Sequence, residues 1–250
     1  LFRISAQIQL NQERHKTFSI VPKVKRTFVQ RYALRQAINV PEMQPSLPID
    51  ISAFADFDLA FSHAVAPLMH DISTHEKTLE AFVAYVHWAM YTDDGKRKHK
   101  DSILFQSPIK MTAQDHFLHQ LEQRADTKCF TSERADAKRQ GFNLTDTGHS
   151  FKKAYDTAHY CIFCHHQERD SCRKGHPKNT HYTGCPLDQK ISQMAEVKTQ
   201  GYSIGALAII CVDNPLVPAT GHRICNDCKQ ACIYQNQESV DIPGVESEIL

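Results

Sequence analysis

Eight of the nine cysteines in this chain fall between Cys161 and Cys232, while Cys129 stands apart. Two pairs are separated by two residues, Cys161 with Cys164 and Cys225 with Cys228. That spacing lets both thiolates reach one metal centre from a single turn of chain. Cys172 follows the first pair after seven residues, Cys185 precedes Pro186, and Cys232 lies one helical turn past Cys228. An odd number of cysteines in a chain of 250 residues does not fit the disulfide framework of short secreted proteins. Metal is the better expectation. By spacing alone, two zinc sites and iron–sulfur clusters are about even. Cys211 lies in the apolar run ALAIICVDNP, which favours a buried structural thiol. Without it seven clustered cysteines remain, an awkward number for two all-thiolate zinc sites. Seven thiolates and one oxygen donor would complete two four-iron clusters.

The elements that must carry these residues are mostly helical by pattern. SFKKAYDTAHYCIFC predicts a helix running into the first cysteine pair. CPLDQKISQMAEVKTQ predicts a helix starting at Pro186, with Ile191, Met194 and Val197 inward. Ser203 can cap IGALAIICV, which must stop before Asn214-Pro215. Earlier in the chain, Ser73 and Glu76 form a capping box for a helix with Leu79, Phe82, Val83, Val86 and Met90 on one face. A second helix is expected from Thr112, with Asp115 near its start and Phe117, Leu118 and Leu121 inward. KVKRTFVQRYALRQA is expected to present a solvated basic face. NVPEMQPSLPIDI is expected as a linker and DDGKRKHKD as a charged loop. His116 and His119 flank the Thr112 helix as surface histidines, and the NLT sequon at 143–145 is expected to be silent.

Composition narrows the function classes. With 29 basic and 28 acidic side chains, a net charge of +1 gives no overall field toward nucleic acid or anionic lipid. An apolar content of 41% is ample for a core. No run approaches the ~20 apolar residues of a bilayer span, and no secretory signal opens the chain. A cytoplasmic location follows, with no nucleic-acid or membrane partner. The opening on Leu1 and the close at SEIL imply a piece of a longer polypeptide.

CIFCHHQERDSC, GCPLDQKISQM, IGALAIICVDNPL, TGHRICNDCKQACIYQ and VDIPGVESEIL resemble the N-terminal cluster-binding domain shared by the glutamate synthase small subunit and dihydropyrimidine dehydrogenase. The resemblance is closest to larger FAD-dependent pyridine-nucleotide oxidoreductases and covers about residues 150–250. It implies a mainly α fold: an α-helical ferredoxin-like C-terminal domain, residues 150–250, preceded by a helical N-terminal region, residues 1–149. It also implies two [4Fe-4S] clusters. Cys161, Cys164, Cys172 and Cys232 would hold one; Cys185, Cys225 and Cys228 would hold the other, with Glu246 of IPGVE as the eighth ligand. Twelve residues separate Cys172 from Cys185, more than the family has. Arg173, Lys174, Arg223 and Lys229 would offset cluster charge, and the nearby His165, His166, His176, His181 and His222 hydrogen-bond or face solvent.

The function that the resemblance implies is electron transfer, as one module of a FAD- and NAD(P)H-dependent oxidoreductase. The chain has no G-x-G-x-x-G and no catalytic constellation, so the flavin domain would lie beyond Leu250 or in another chain, within a homo- or hetero-oligomer. The alternative is a zinc-stabilised interaction module without redox activity. A third possibility is a helical scaffold with free thiols.

Overall fold

The computed structural model describes residues 2–48, 54, 56–108, 110, 120–131, 141–142, 148–178, 180–220, 225–234 and 237–250. Helix α1 (Phe2–Phe18) leads into α2 (Ile20–Val24), a π-helical turn (Lys25–Gln30) and a 3-10 turn (Ala33–Arg35). The expected solvated face is only half of this segment. Val24, Phe28, Val29 and Ala33 are buried, because apolar side chains alternate with the basic ones around the turn.

Asp56 caps α3 (Phe57–Leu68), its carboxylate accepting from the Asp58 and Leu59 amides at 2.9 and 3.3 Å, the usual satisfaction of first-turn donors. Helix α4 (Glu76–Tyr91) buries Leu79, Phe82 and Val86, and also Tyr85, Trp88 and Ala89, so its apolar face is broader than the sequence stripe. The Ser73–Glu76 capping box does not form. Asp71 instead takes the Ser73 and Thr74 hydroxyls, each at 2.7 Å, and α4 begins after that turn. The charged segment expected as a loop contains a short helix, α5 (Asp93–Lys98), capped by Thr92, whose hydroxyl accepts from the Gly95 amide at 3.0 Å. Gly95 is required there, since a Cβ would stand 2.3 Å from the Trp88 carbonyl oxygen.

These elements close around one aromatic core. The Phe61 ring lies 5.2 Å from Phe82, 5.4 Å from Phe105 and 6.0 Å from Phe28, within the range of attractive ring pairs. A hairpin follows, β1 (Gln120–Arg124) antiparallel to β2 (Thr127–Thr131), with Gln120 opposite Thr131 and Arg124 opposite Thr127. Leu121, expected on a helix, is therefore on a strand. Thr112, Asp115, His116, Phe117, Leu118, His119 and the 143–145 sequon lie outside the described residues.

The second half contains α6 (Phe151–Tyr160), a 3-10 turn (Cys164–Gln167), α7 (Ser171–Lys174), α8 (Ile191–Thr199), α9 (Ser203–Asp213), α10 (Val217–Thr220), α11 (Asp227–Gln230) and α12 (Ile242–Ile249). Helix α6 packs on α8 and α12, and α8 on α9. Together they enclose a second core that includes Ala158, Ile191, Met194, Ile210 and Val245. Helix α8 starts at Ile191 rather than at Pro186, because residues Cys185 to Asp188 close a turn first, the Asp188 amide donating to the Cys185 carbonyl at 3.0 Å. Helix α9 ends at Asp213, where Pro215 forces its predecessor out of helix.

Two parts of the fold expectation are corrected. Among the described residues from 148 to 250 there are helices and turns with no strand, so the strand-and-helix scaffold of ferredoxins is absent from them. The N-terminal region, expected to be helical, carries the hairpin. Among the described residues no helix is long and apolar enough to cross a membrane.

Charged pairs join the halves: Lys25 to Asp156 at 2.8 Å, and Lys152 to Asp56 at 2.7 Å and Asp58 at 2.6 Å. Two histidines here are built to stay neutral. The Tyr85 hydroxyl meets His99 Nε2 at 2.8 Å, and burial, followed by the Lys98 and Lys152 charges, lowers the His99 pKa to about 4. Burial, followed by Arg26, His15 and Lys25, lowers His159 to about 4 as well. Both start from 6.5 in the unfolded chain, so between those values the unfolded chain binds the protons that the folded one refuses. Stability therefore falls as pH drops from 6.5 toward about 4, the sign that linkage requires. Urea midpoints measured across that window should decline steadily; a flat profile would contradict these environments.

Candidate metal centre

Helix α6 ends where Cys161 turns extended (φ −61°, ψ 137°), and Phe163, in the left-handed region at φ 52°, bends the chain so that Cys164 returns toward Cys161. Cys172 comes from α7 and Cys232 from the segment just after α11. These four cysteines, drawn from three segments, line one cavity of about 20 Å³, whose walls include Ile162, Tyr234, Val240 and Ile242. Such a space has room for about one water-sized guest. Burial pushes the Cys161 thiol up to about 12 and raises Cys172 further still, where burial is followed by the Asp170 charge and by the thiol's bond to that carboxylate. Cys172 Sγ donates to Asp170 Oδ1 at 3.2 Å.

Cys185 is tied to this region by its amide, which reaches the Cys172 and Arg173 carbonyls at 3.0 and 3.1 Å. The preceding Gly184 has φ +82°, and a Cβ there would meet the Arg173 carbonyl oxygen at 2.5 Å. Only glycine accommodates that approach. Cys185, Cys225, Cys228 and Glu246 form a second neighbourhood. Burial raises the Cys228 thiol to about 12, and Glu246, Cys185 and Cys225 add to the rise. Glu246 accepts from Gln189 Nε2 at 2.6 Å, and burial raises its carboxyl pKa. Cys211 is half-buried against the second core, less enclosed than expected. Arg173 and Lys229, expected to offset cluster charge, are engaged by Asp188 and Asp241. His222 and Arg223 lie outside the described residues.

None of the eight cysteines from Cys161 to Cys232 is in a disulfide. Among the described residues no three of their sulfurs lie within 4.8 Å of one another; the set of metal-type donors that does is His165, His166 and Glu196. The expectation of two [4Fe-4S] clusters is therefore corrected: among the described residues no preassembled four-cysteine cluster is found. The zinc-stabilised alternative fares no better, because Zn–S bonds of about 2.3 Å would bring tetrahedral sulfurs closer than this. With the clusters go the electron-transfer role, the FAD and NAD(P)H cofactors and the place in an oxidoreductase, none of which any feature of the described residues supports.

The imidazole pair was present in the sequence only as a His-His dipeptide after Cys164. Its carboxylate partner, Glu196, lies on α8, a separation that no motif marks. His165 Nε2 and His166 Nε2 approach Glu196 Oε2 at 3.0 and 3.1 Å.

No family model and no solved structure matches the chain. The resemblance to the glutamate synthase small subunit and dihydropyrimidine dehydrogenase is thus not upheld. The uncharacterized protein RP005 of Rickettsia prowazekii (strain Madrid E) is 26% identical over 228 residues, covering 80% of this chain and 75% of that protein. The uncharacterized protein RP006 of the same organism is 69% identical over 35 residues, which are 14% of this chain and 5% of that protein. The chain is similar to both, and neither name states an activity.

Proposed function

We propose that residues 150–250 form a metal-binding module, distinct from residues 1–149, in which cysteine thiolates bind thiophilic metal ions. Cys161, Cys164, Cys172 and Cys232 are the first ligand set; Cys185, Cys225 and Cys228 with Glu246 are the second. The observation that carries this is the convergence of four thiols from three segments on one small cavity. Buried thiols are costly to ionise without a cation, and a bound cation reverses that balance, so metal uptake and deprotonation occur together. An ion would have to draw the sulfurs together, since no three of them lie within 4.8 Å of one another among the described residues. Thiols kept free in this number fit a reducing compartment, which favours the cytoplasm.

Cd²⁺ titrated into the full chain, reduced and free of air, tests this. Thiolate-to-cadmium absorption should rise and saturate, and the native chain should then resist alkylation at these cysteines. No absorption, with all the thiols alkylated at the same rate with and without Cd²⁺, would end the proposal.

A further inference from the structure

His165 and His166 leave the Cys164–Gln167 turn with ring centroids 4.3 Å apart. Hydrogen-bond bookkeeping behind them is constrained. Ser192 Oγ lies 2.7 Å from His165 Nδ1 and 3.2 Å from Asp170 Oδ1, and a hydroxyl has one proton to donate. Asp170 is 5% exposed, and its Oδ2 is buried with no hydrogen-bond partner. A buried carboxylate short of donors has the stronger claim on that proton. Ser192 then donates to Asp170, and His165 Nδ1–H donates to Ser192. That leaves the His165 Nε2 lone pair facing Glu196 Oε2 at 3.0 Å. A proton on the imidazole or a metal ion would satisfy that contact, and the addition of His166 Nε2, 3.1 Å from the same Glu196 Oε2, brings three metal-type donor atoms within 4.8 Å of one another.

We infer that His165, His166 and Glu196 form an open coordination site for a divalent cation of intermediate softness, of the Ni²⁺ or Co²⁺ kind. Metal bonds of about 2.0–2.2 Å to nitrogen and oxygen put neighbouring donors roughly 3 Å apart, the separation of each histidine nitrogen from Glu196 Oε2, and all three donors lie within 4.8 Å of one another. Imidazole suits such ions. The His165–Ser192–Asp170 chain is the outer support that fixes a ligating histidine's tautomer and orientation. Three protein donors leave positions for water, on the side where the His166 side chain is 56% exposed. No sulfur belongs to this donor set, although its support meets the first thiol set at Asp170, which also accepts from Cys172 Sγ at 3.2 Å.

Ni²⁺ binding to the full reduced chain, followed by equilibrium dialysis and elemental analysis, tests it. The unaltered chain should retain one equivalent more than His166→Ala or Glu196→Gln. The equivalent lost should carry no sulfur-to-nickel charge-transfer band. His166 is exposed and its removal takes nothing from the core, so far-ultraviolet circular dichroism should be unchanged. Ser192→Ala should weaken Ni²⁺ binding roughly 10- to 100-fold. Equal retention by the unaltered chain and both variants would overturn the site and leave a proton shared between imidazole and Glu196. Loss of a sulfur charge-transfer band with that equivalent would also overturn it.

Discussion

Serine in place of Cys172 is expected to abolish Cd²⁺ uptake by the first thiol set while the second still binds, so that saturating thiolate absorption falls by about half. Cys172 is 7% exposed and sits on α7, with its sulfur bonded to Asp170. A serine hydroxyl is nearly isosteric and can keep the bond to Asp170, so packing changes little. What changes is the donor: a hard, neutral oxygen replaces a soft thiolate, and soft metals discriminate strongly between the two. Absorption titration of the variant beside the parent chain measures this. Undiminished uptake would show that Cys172 is no ligand.

Asp58→Ala should cost about 3–5 kcal/mol of folding stability, the range for stripping one partner from a buried ion pair. The Asp58 side chain is fully buried. It receives the Ser102 hydroxyl, the Ile103 amide at 2.9 Å and Lys152 at 2.6 Å. Burial alone would lower the Lys152 pKa, but Asp58 and Asp56 hold it above its usual range. Alanine leaves that ammonium with Asp56 alone and orphans the two donors from Ser102 and Ile103. The pair also spans the two halves, Asp58 on α3 and Lys152 on α6, so both cores should feel the loss. Equilibrium urea unfolding gives the value, and Asp58→Ala combined with Lys152→Met should recover part of it, since the unpaired charge is gone. A loss below about 1 kcal/mol would place the pair among weak surface bridges.

Several local features were legible in the sequence because they are short-range. The Ser150 start of α6, its run into Cys161 and the stop of α9 before Pro215 each depend on neighbours a few residues away. The Ser73–Glu76 box was misread because Asp71, two residues upstream, competes for the same hydroxyl, and a carboxylate acceptor is the stronger one. Helix α3 was missed because its cap, Asp56, sits just past a proline-rich stretch that resembles an extended linker. At the site, the spacing of Cys161 and Cys164 was informative, as was the pairing of Cys225 with Cys228. Which thiols share a cavity depends on how α6, α7 and the segment after α11 pack, and that is set by long-range contacts. The cluster chemistry attached to those thiols went further than their geometry allows. Glu196 could not be linked to His165 and His166 from sequence, because they meet only when α8 lies against the preceding turn.

Trp88, the chain's single tryptophan, is 3% exposed within the aromatic core of the first half, with Tyr85 and His99 beside it. Indole emission is consequently a local gauge: it reports solvent entering that half and is blind to loosening around the thiols. Unfolding confined to the second half would lower helicity by circular dichroism while the fluorescence spectrum stays native.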